Sequence, residues 1–155
     1  MAPIAVSVDI ARPQEEAFAY VTDPARFAEW QAGVVGGHME GGSNPEIGAK
    51  CTTTRRIGGA KRASTSTVTK MDPPASWAVH GTDGPIRAIV DVRVQALDGG
   101  ARSRVTITLD FEGHGIGKLL VPVIVRRQAR NEMPANVQRL KQRLEADAAA
   151  QAPSP

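Results

Sequence analysis

The sequence predicts an α+β fold in which a curved antiparallel sheet of about seven strands wraps around one long C-terminal helix. Runs of alternating apolar and polar residues, which are typical of half-buried strands, recur along most of the chain. Residues 119–144 lack this alternation and instead carry apolar side chains at helical spacing. A helix of that length needs a large apolar surface to pack on, and a curved sheet around it usually encloses a cavity.

The composition fits one globular domain with a roomy interior. The chain has 155 residues, of which 41% are hydrophobic and 23% are charged, so one core is sufficient. Aromatic residues make up only 4%, which leaves few large rings to fill that interior. We expect a single domain over residues 1–147 and a disordered tail over residues 148–155.

The charge and the cysteine content indicate which partners and which cellular compartment to expect. The net charge of +3 comes from a modest excess of arginine rather than from a basic block, so nucleic acid is not an expected partner. The single cysteine cannot form an intramolecular disulfide, and no signal-peptide pattern opens the chain, which predicts the cytoplasm. No stretch approaches the ~20 apolar residues of a membrane span, so we expect no membrane insertion.

The first part of the chain predicts one strand and two short helices. Residues 4–10 alternate in polarity and form the first strand. Pro13 and the acids that follow it start a helix that continues through Val21. Asp23 then caps a second short helix over residues 24–30.

The middle of the chain predicts an antiparallel meander. Two runs rich in threonine flank Gly58 and Gly59 and form a long hairpin. Turns rich in Asp, Gly and Pro separate the strands that follow. The predicted strands cover residues 34–39, 49–57, 61–71, 77–81, 86–96 and 105–112.

The inner face of the hairpin predicts an open pocket. Its two arms carry only small residues on the faces that we expect to point inward. These side chains cannot span the distance from sheet to helix, so we expect a cavity of at least ~300 Å³. The residues are Ala49, Cys51 and Thr53 on the first arm, and Ala63, Thr65 and Thr67 on the second.

The last helix combines an apolar stripe with two unexpected charges. Arg126 and Arg130 share the face of the stripe, where an unpaired guanidinium would cost several kcal/mol. Either both reach solvent along a bent helix, or at least one points into the cavity mouth and pairs with an anionic oxygen of a ligand. Pro134 predicts a kink or a break. The stripe consists of Leu119, Val123, Met133, Val137, Leu140 and Leu144.

Several short motifs, taken with the order of elements, carry a resemblance over nearly the whole chain. They are Val8-Asp9-Ile10-Ala11-Arg12-Pro13 with Glu16-Ala17-Phe18, Val21-Thr22-Asp23-Pro24 with Phe27 and Trp30, Gly48, and Asp98-Gly99-Gly100 with Arg104-Val105-Thr106. This pattern resembles the SRPBCC superfamily, which has the helix-grip or START-like fold, and in particular its polyketide cyclase/dehydrase-like branch. The resemblance implies a cavity between residues 119–144 and the concave sheet. It implies no single reaction, because the superfamily uses this cavity to carry lipids, bind hormones, cyclise polyketides or assist other enzymes.

His80 is the candidate catalytic residue, because a neutral imidazole suits proton transfer near neutral pH. Whether it lines the cavity mouth or faces solvent depends on the register of its strand. No two histidines share a ligand-like spacing and Cys51 stands alone, so we expect no metal site and no cofactor. Asp91, Asp110 and Glu112 lie on the polar sides of their strands, and we expect none of them in the pocket.

The expected ligand-binding residues lie on the hairpin, the central strands and the last helix. The two tryptophans either grip an apolar ligand or pack in the core. Cys51 is most simply a small apolar residue of a half-buried strand. The set is Trp30, Cys51, Thr53, Thr65, Trp77, Val92, Ile107, Arg126, Arg130 and Met133.

These observations favour a protein that binds a hydrophobic or aromatic small molecule in the cavity. The resemblance implies an enzyme of the polyketide cyclase/dehydrase type, in which a few polar groups move protons. The alternative is a non-catalytic lipid or small-molecule carrier or sensor, which needs a closed apolar cavity and no acid or base. A third hypothesis is an interaction module that uses the sheet edge or the basic helix. We expect a monomer or a homodimer.

Overall fold

A seven-stranded sheet forms the body of the computed structural model, which describes residues 2–40, 46–57 and 59–151. Two short helices follow the first strand, and helical segments close the chain. The strands are β1 (Ile4–Ile10), β2 (Val34–Met39), β3 (Lys50–Ile57), β4 (Ala60–Asp72), β5 (Ser76–Gly81), β6 (Ile86–Leu97) and β7 (Arg102–Gly113). The helices are α1 (Gln14–Val21), α2 (Phe27–Trp30), α3 (Gly117–Leu120) and α4 (Arg126–Gln151). A 3-10 turn over Pro24–Arg26 precedes α2, and a π-helical turn over Val121–Val125 joins α3 to α4.

The strands form a meander in the order β1-β7-β6-β5-β4-β3-β2. Every neighbouring pair is antiparallel, and β1 returns to pair with β7. The predicted α+β fold, with its curved sheet, two short helices after β1 and long C-terminal helix, is therefore confirmed. The predicted hairpin corresponds to β3 and β4, which pair as far as Ile57 and Ala60, while Gly58 lies outside the described residues.

The packed core lies on the concave face of the sheet. Val92 lies opposite Ile107 and Val94 lies opposite Val105, so the apolar sides of β6 and β7 form continuous rows. Val8 of β1 extends the second row. Helix α4 covers these rows with side chains that recur every three or four residues, namely Met133, Val137, Leu140 and Leu144.

Three aromatic rings close the core beneath α2. Asp23 caps the 3-10 turn by accepting a hydrogen bond from the backbone N–H of Ala25 at 3.0 Å. The turn directs Phe27 inward, where its ring meets Trp30 edge-on at 5.9 Å and Trp77 at 6.4 Å between centroids. Both tryptophans are buried members of the core.

The apolar stripe of the last helix divides at the π-helical turn. Leu119 and Val123 are 74% and 67% exposed, so the predicted stripe is wrong in its first part. A π-helical turn holds more residues than an α-helical turn, which rotates the residues before it relative to those after it. Gly117 and Val121 occupy the buried positions instead. In the second part the stripe is buried as predicted, through Met133, Val137, Leu140 and Leu144.

A π-helical turn interrupts the last helix at Pro122, whereas no break occurs at Pro134. Pro122 stands at the start of the π-helical turn, where its missing N–H removes a donor from the helical pattern. Helix α4 contains Pro134 and runs without interruption from Arg126 to Gln151, so the predicted break is absent. Residues 148–151 of the predicted tail continue this helix, and residues 152–155 lie outside the described residues.

Arg126 is buried, and neither predicted environment is correct for it. Its side chain is 4% exposed and donates to Asp110 Oδ1 at 2.9 Å from Nη1 and to the carbonyl oxygen of Ala2 from Nη2. Strand β1 begins opposite the residue before Asp110, so the helix reaches this carboxylate around the sheet edge. Asp110 therefore binds α4 to the sheet instead of facing solvent alone. Arg130 is exposed, as the solvent-facing alternative predicts.

Three backbone segments meet where the last helix begins. A Cβ atom at Gly113 would overlap the carbonyl group of Gly117, and a Cβ atom at Gly117 would overlap the carbonyl oxygen of Pro85. Neither position has room for a side chain. The end of β7, the start of α3 and the β5–β6 connection therefore pack main chain against main chain.

Candidate ligand-binding cleft

The inward face of the β3–β4 hairpin carries small polar residues. Cys51 lies opposite Ser66, and Thr53 lies opposite Ser64. Directly opposed residues share one face of a sheet. Cys51 is buried in the core, which identifies this face as the concave one. The prediction of small residues facing the helix therefore holds for Cys51 and Thr53.

Thr65 lies on the other face. Thr65 lies opposite Thr52, which is the neighbour of Cys51 on β3. Because successive side chains of a strand alternate between the two faces, Thr52 and Thr65 are on the convex side of the sheet. The prediction that the second arm lines the cavity through Ala63, Thr65 and Thr67 is wrong. Both faces of this arm are polar or small, so the hydrophobic pattern does not select one of them, and the pairing with β3 decides.

The concave face is fully buried at one end and half-buried at the other. The rows around Val92 and Val94 are buried under the helices. Toward the opposite end of the same face, the side chains are small or apolar and keep part of their surface accessible. This half-buried end, which we call the cleft, contains Met39, Ser66, Ala88, Val90, Leu109 and Phe111.

A cation lies at the edge of the cleft on β3. Arg55 follows Cys51 and Thr53 at two-residue spacing and so shares their face. Its Nη2 donates to Gln31 Oε1 at 3.2 Å. Surrounding protein lowers the pKa of Arg55, and the negative charge of Glu132 on α4 acts in the opposite direction. The side chain is exposed, so its charge is accessible to a ligand on this face of the sheet.

A second arginine lies directly opposite the first. Arg62 pairs with Arg55 across the hairpin. Like charges at opposed positions repel, and within the described residues neither guanidinium has an ion pair at salt-bridge distance. The pair gives the mouth of the cleft a positive charge that suits an anionic oxygen. The sequence held the signal, because position 55 continues the Cys51 and Thr53 spacing.

His80 lies on the convex face, away from the cleft. Its neighbour Val79 is buried opposite Val68 and Val90 on the concave side, so strand alternation turns His80 outward. There its Nε2 contacts a carboxylate oxygen of Glu112. A role for His80 inside the cavity is therefore excluded by the register of β5.

Cys51 is not suited to nucleophilic chemistry. Burial raises the pKa of its thiol, and a hydrogen bond with Thr53 lowers that pKa by a smaller amount. The thiol is therefore protonated near neutral pH and acts as a small core residue. The other predicted ligand-binding residues outside the hairpin and the two arginines are buried in the core, namely Trp30, Trp77, Val92, Ile107 and Met133.

Two open depressions lie on the surface beside the last helix. One, of about 540 Å³, is bordered by helix residues that include Val123, Ile124 and Arg127. The other, of about 420 Å³, lies between the end of β7 and the start of the helix, near Asp110 and Lys118. Neither is the predicted cavity between the helix and the hairpin, which remains a prediction based on the partly exposed residues of the cleft.

The described residues contain no group of three His, Cys, Asp or Glu side chains placed to hold a metal ion. In that same part of the chain, no helix has both the length and the apolarity to cross a bilayer. The expectations about metals and cofactors therefore stay predictions.

Comparison with known proteins defines the family. The sequence model described as polyketide cyclase / dehydrase and lipid transport matches residues 1–145. The chain belongs to this family. The predicted superfamily and branch are thereby confirmed, and membership supports a ligand-binding helix-grip protein. No curated protein matches the sequence.

Solved structures share the family fold. The Zhui aromatase/cyclase from Streptomyces sp. R1128 superposes with a TM-score of 0.78 at 14% identity over 97% of this chain and 98% of that one. A START superfamily protein from Mycobacterium smegmatis superposes with a TM-score of 0.69 at 13% identity, over 94% of this chain and 99% of that one. The di-domain ARO/CYC BexL from the BE-7585A biosynthetic pathway gives 0.72 at 15% identity over 94% of this chain, which spans 47% of BexL. At such identities the likeness establishes the helix-grip fold alone.

Proposed function

We propose that the cleft binds a hydrophobic or aromatic small molecule that carries an anionic oxygen, such as a carboxylate, phenolate or enolate. The observation that carries this proposal is the opposed pair Arg55 and Arg62 at the edge of the cleft. Without an anion the two guanidinium groups repel each other. An oxygen anion between them relieves the repulsion and accepts charge-assisted hydrogen bonds from both.

The remainder of the cleft suits the apolar part of such a ligand. Val90, Leu109 and Phe111 keep part of their apolar surface accessible, and burial of that surface contributes roughly 25 cal/mol per Å². Thr53, Ser64 and Ser66 add hydroxyl groups beside the arginines. A polyketide presents enolisable carbonyls and a fatty acid presents a carboxylate, so both ligand classes in the family description fit this combination.

The test compares an anionic and a neutral apolar probe, anilinonaphthalene sulfonate and N-phenylnaphthylamine. Arg55→Met and Arg62→Met keep much of the side-chain stem and delete the charge. We expect each variant to lower the affinity for the anionic probe about 10- to 100-fold, which is the range expected for the loss of a charge-assisted hydrogen bond. The affinity for the neutral probe should stay unchanged.

Arg56→Met is the matched control, since Arg56 is the next residue on β3 and lies opposite Lys61 on the convex face. It removes the same charge from the same strand and should leave both probes unaffected. Equal losses of the anionic probe in the Arg55 and Arg56 variants would contradict the proposal, because they would point to net charge rather than a site.

We further propose that the cleft catalyses a reaction of the cyclase/dehydrase type, with Glu132 in place of the rejected His80. Glu132 is partly exposed on α4, where it borders the depression beside Val123 and Ile124, and its negative charge acts on Arg55 across from it on β3. In this reaction the carboxylate takes a proton from the carbon next to a ligand carbonyl. The electron pair moves to the carbonyl oxygen, and Arg55 stabilises the resulting enolate.

The catalytic proposal predicts that Glu132→Gln slows turnover of an aromatic polyketide substrate by about 100-fold or more while probe binding persists. His80→Ala, on the convex face, is the control and should retain activity. Equal losses in both variants would contradict the assignment of Glu132. Probe binding by the wild-type protein without any turnover would instead favour the carrier.

A further inference from the structure

Apart from Lys118, the helical segment over residues 116–125 is apolar on all sides. Gly117 and Val121 face the body of the protein and are buried. The opposite side exposes four apolar residues, and the only charge in the segment is Lys118. A helix that is apolar on all sides is normally covered on all sides. The exposed residues are Ile116, Leu119, Val123 and Ile124, at 67%, 74%, 67% and 52%.

These four residues, which we call the apolar ridge, continue into a polar surface along the helix. Val123 and Ile124 border the same shallow groove as Arg127 one turn later and Asn131 and Glu132 two turns later. The ridge therefore forms the first part of one outer surface, and a basic residue lies on that surface immediately beyond it. This arrangement of an apolar strip beside cations is typical of helices that lie in a membrane interface.

The cations near the ridge have no acidic partners. The sequence contains no Asp or Glu between Glu112 and Glu132. Lys118, Arg127 and Arg130 are exposed, and in the described part of the chain none of them is within salt-bridge distance of a carboxylate. Glu132 borders the far end of the groove, so three cations face one acid, and the surface has a net positive charge that is complementary to an anionic partner.

We propose that the apolar ridge docks on an anionic lipid bilayer. Leu119 and Val123 enter the boundary between headgroups and acyl chains, while Lys118 and Arg127 bind lipid phosphates and carboxylates. The helix lies on the bilayer and does not cross it. A two-fold dimer through the ridge fits less well, because it would bring three cations of each copy together against a single acid per copy, Glu132. The proposal is independent of what the cleft binds.

The experiment is vesicle co-sedimentation of the full chain. Vesicles contain phosphatidylcholine with about 30% phosphatidylserine, or phosphatidylcholine alone. The wild-type protein should bind the anionic vesicles more strongly than the neutral ones and should be released as salt rises from about 0.05 to 0.5 M. Absence of binding to anionic vesicles at low salt would overturn the proposal.

Two double variants separate the apolar and the charged contributions. Leu119→Glu with Val123→Glu should lower partitioning onto anionic vesicles at least about tenfold, because it places charge in the apolar layer. Lys118→Gln with Arg127→Gln should lower it roughly 10- to 30-fold, at about fivefold per lost cation. All four positions are exposed, so the urea midpoint of unfolding should stay at the wild-type value in both variants.

The control is Arg56→Gln with Lys61→Gln, an opposed pair on the convex face of the hairpin. It changes the net charge by the same amount and should leave vesicle binding close to wild type. A loss equal to that of the Lys118 and Arg127 variant would overturn the proposal in favour of unspecific charge attraction. A concentration-dependent dimer that the Leu119 and Val123 variant abolishes, without vesicle binding, would overturn it in favour of a second copy.

Discussion

The two parts of the C-terminal helix are both rich in apolar residues and face opposite surroundings. After the π-helical turn, apolar residues such as Leu140 are buried under the sheet. Before it, Leu119 and Val123 face outward although they continue the same ideal periodicity. The difference teaches that apolar spacing specifies a buried stripe only while the helix keeps its turn, and one wider turn is enough to redirect the residues before it.

Truncating one leucine from each part is the most direct test of whether the second part is buried and the first part exposed. Leu140→Ala should lower the free energy of unfolding by about 2–5 kcal/mol, because the side chain is fully buried in the core. Leu119→Ala should change it by no more than about 0.5 kcal/mol. Urea unfolding followed by circular dichroism measures both values. A loss for Leu119→Ala that matches Leu140→Ala would mean that the first part packs against the body in solution.

A smaller effect is expected where the two parts join. Arg126→Met deletes the buried hydrogen bonds to Asp110 and Ala2 and should cost about 1–2 kcal/mol, since the partly exposed carboxylate regains water. Arg130→Met removes an exposed charge from the next turn and should leave stability unchanged.

A double-mutant cycle sharpens this result. Combining Arg126→Met with Asp110→Asn should cost less than the sum of the two single variants, because both remove the same ion pair. Strict additivity would indicate that the ion pair contributes nothing and that Arg126 stabilises the junction through its hydrogen bond to Ala2 and its methylene stem.

The smallest expected effect is the pH dependence of stability that comes from an ion pair in the second part of the helix, α4. Lys141 Nζ donates to Glu145 Oε1 at 2.8 Å and to the carbonyl oxygen of Asp9 at 2.9 Å, which connects α4 to the end of β1. The hydrogen bond from Lys141 is the main cause that holds the pKa of Glu145 below its ordinary value. Because the pKa of Glu145 is lower in the folded protein than in the unfolded chain, its carboxylate stabilises the fold at pH values above the unfolded pKa. This contribution is lost as the pH falls through the folded-state pKa.

Glu145→Gln should therefore lower the thermal midpoint slightly at pH 7, and the difference from wild type should shrink as pH falls below the ordinary glutamate pKa of about 4.3. Thermal unfolding across this pH range measures it. Glu132→Gln is the matched control on the same helix, because Glu132 has no ion pair at salt-bridge distance in the described part of the chain. A difference for Glu145→Gln that persists unchanged at low pH would show that the carboxylate charge is not its cause.

The fold was predictable from the sequence because each strand of the packed end alternates clearly. Val92 and Val94 alternate with polar neighbours, and so do Val105 and Ile107, so only one face of each strand can be buried. The strand order and the family follow from that pattern and from the motifs around it.

The candidate site was less predictable because its strands carry no such contrast. Thr65 and Ser66 differ little in polarity, so pairing with β3 and not composition decides which of them faces the cleft. His80 depends in the same way on the register of β5, which is shifted by an irregularity in β4 between Val68 and Lys70. The π-helical turn is likewise invisible to a search at ideal helical spacing. Among the residues that sequence reasoning missed, Arg55 was accessible, because it continues the two-residue spacing of Cys51 and Thr53.

The main-chain contact of Gly113, Gly117 and Pro85 bears on how this scaffold can be redesigned. Because no side chain takes part in that contact, exchanging the residues of the cleft leaves the start of the helix where it is. A saturation library over Ser64, Ser66 and Val90 could therefore alter ligand preference within an unchanged frame. The same library at Gly113 and Gly117 should yield almost no folded variants, because neither position has room for a side chain. A redesign of the cleft should therefore keep both glycines unchanged.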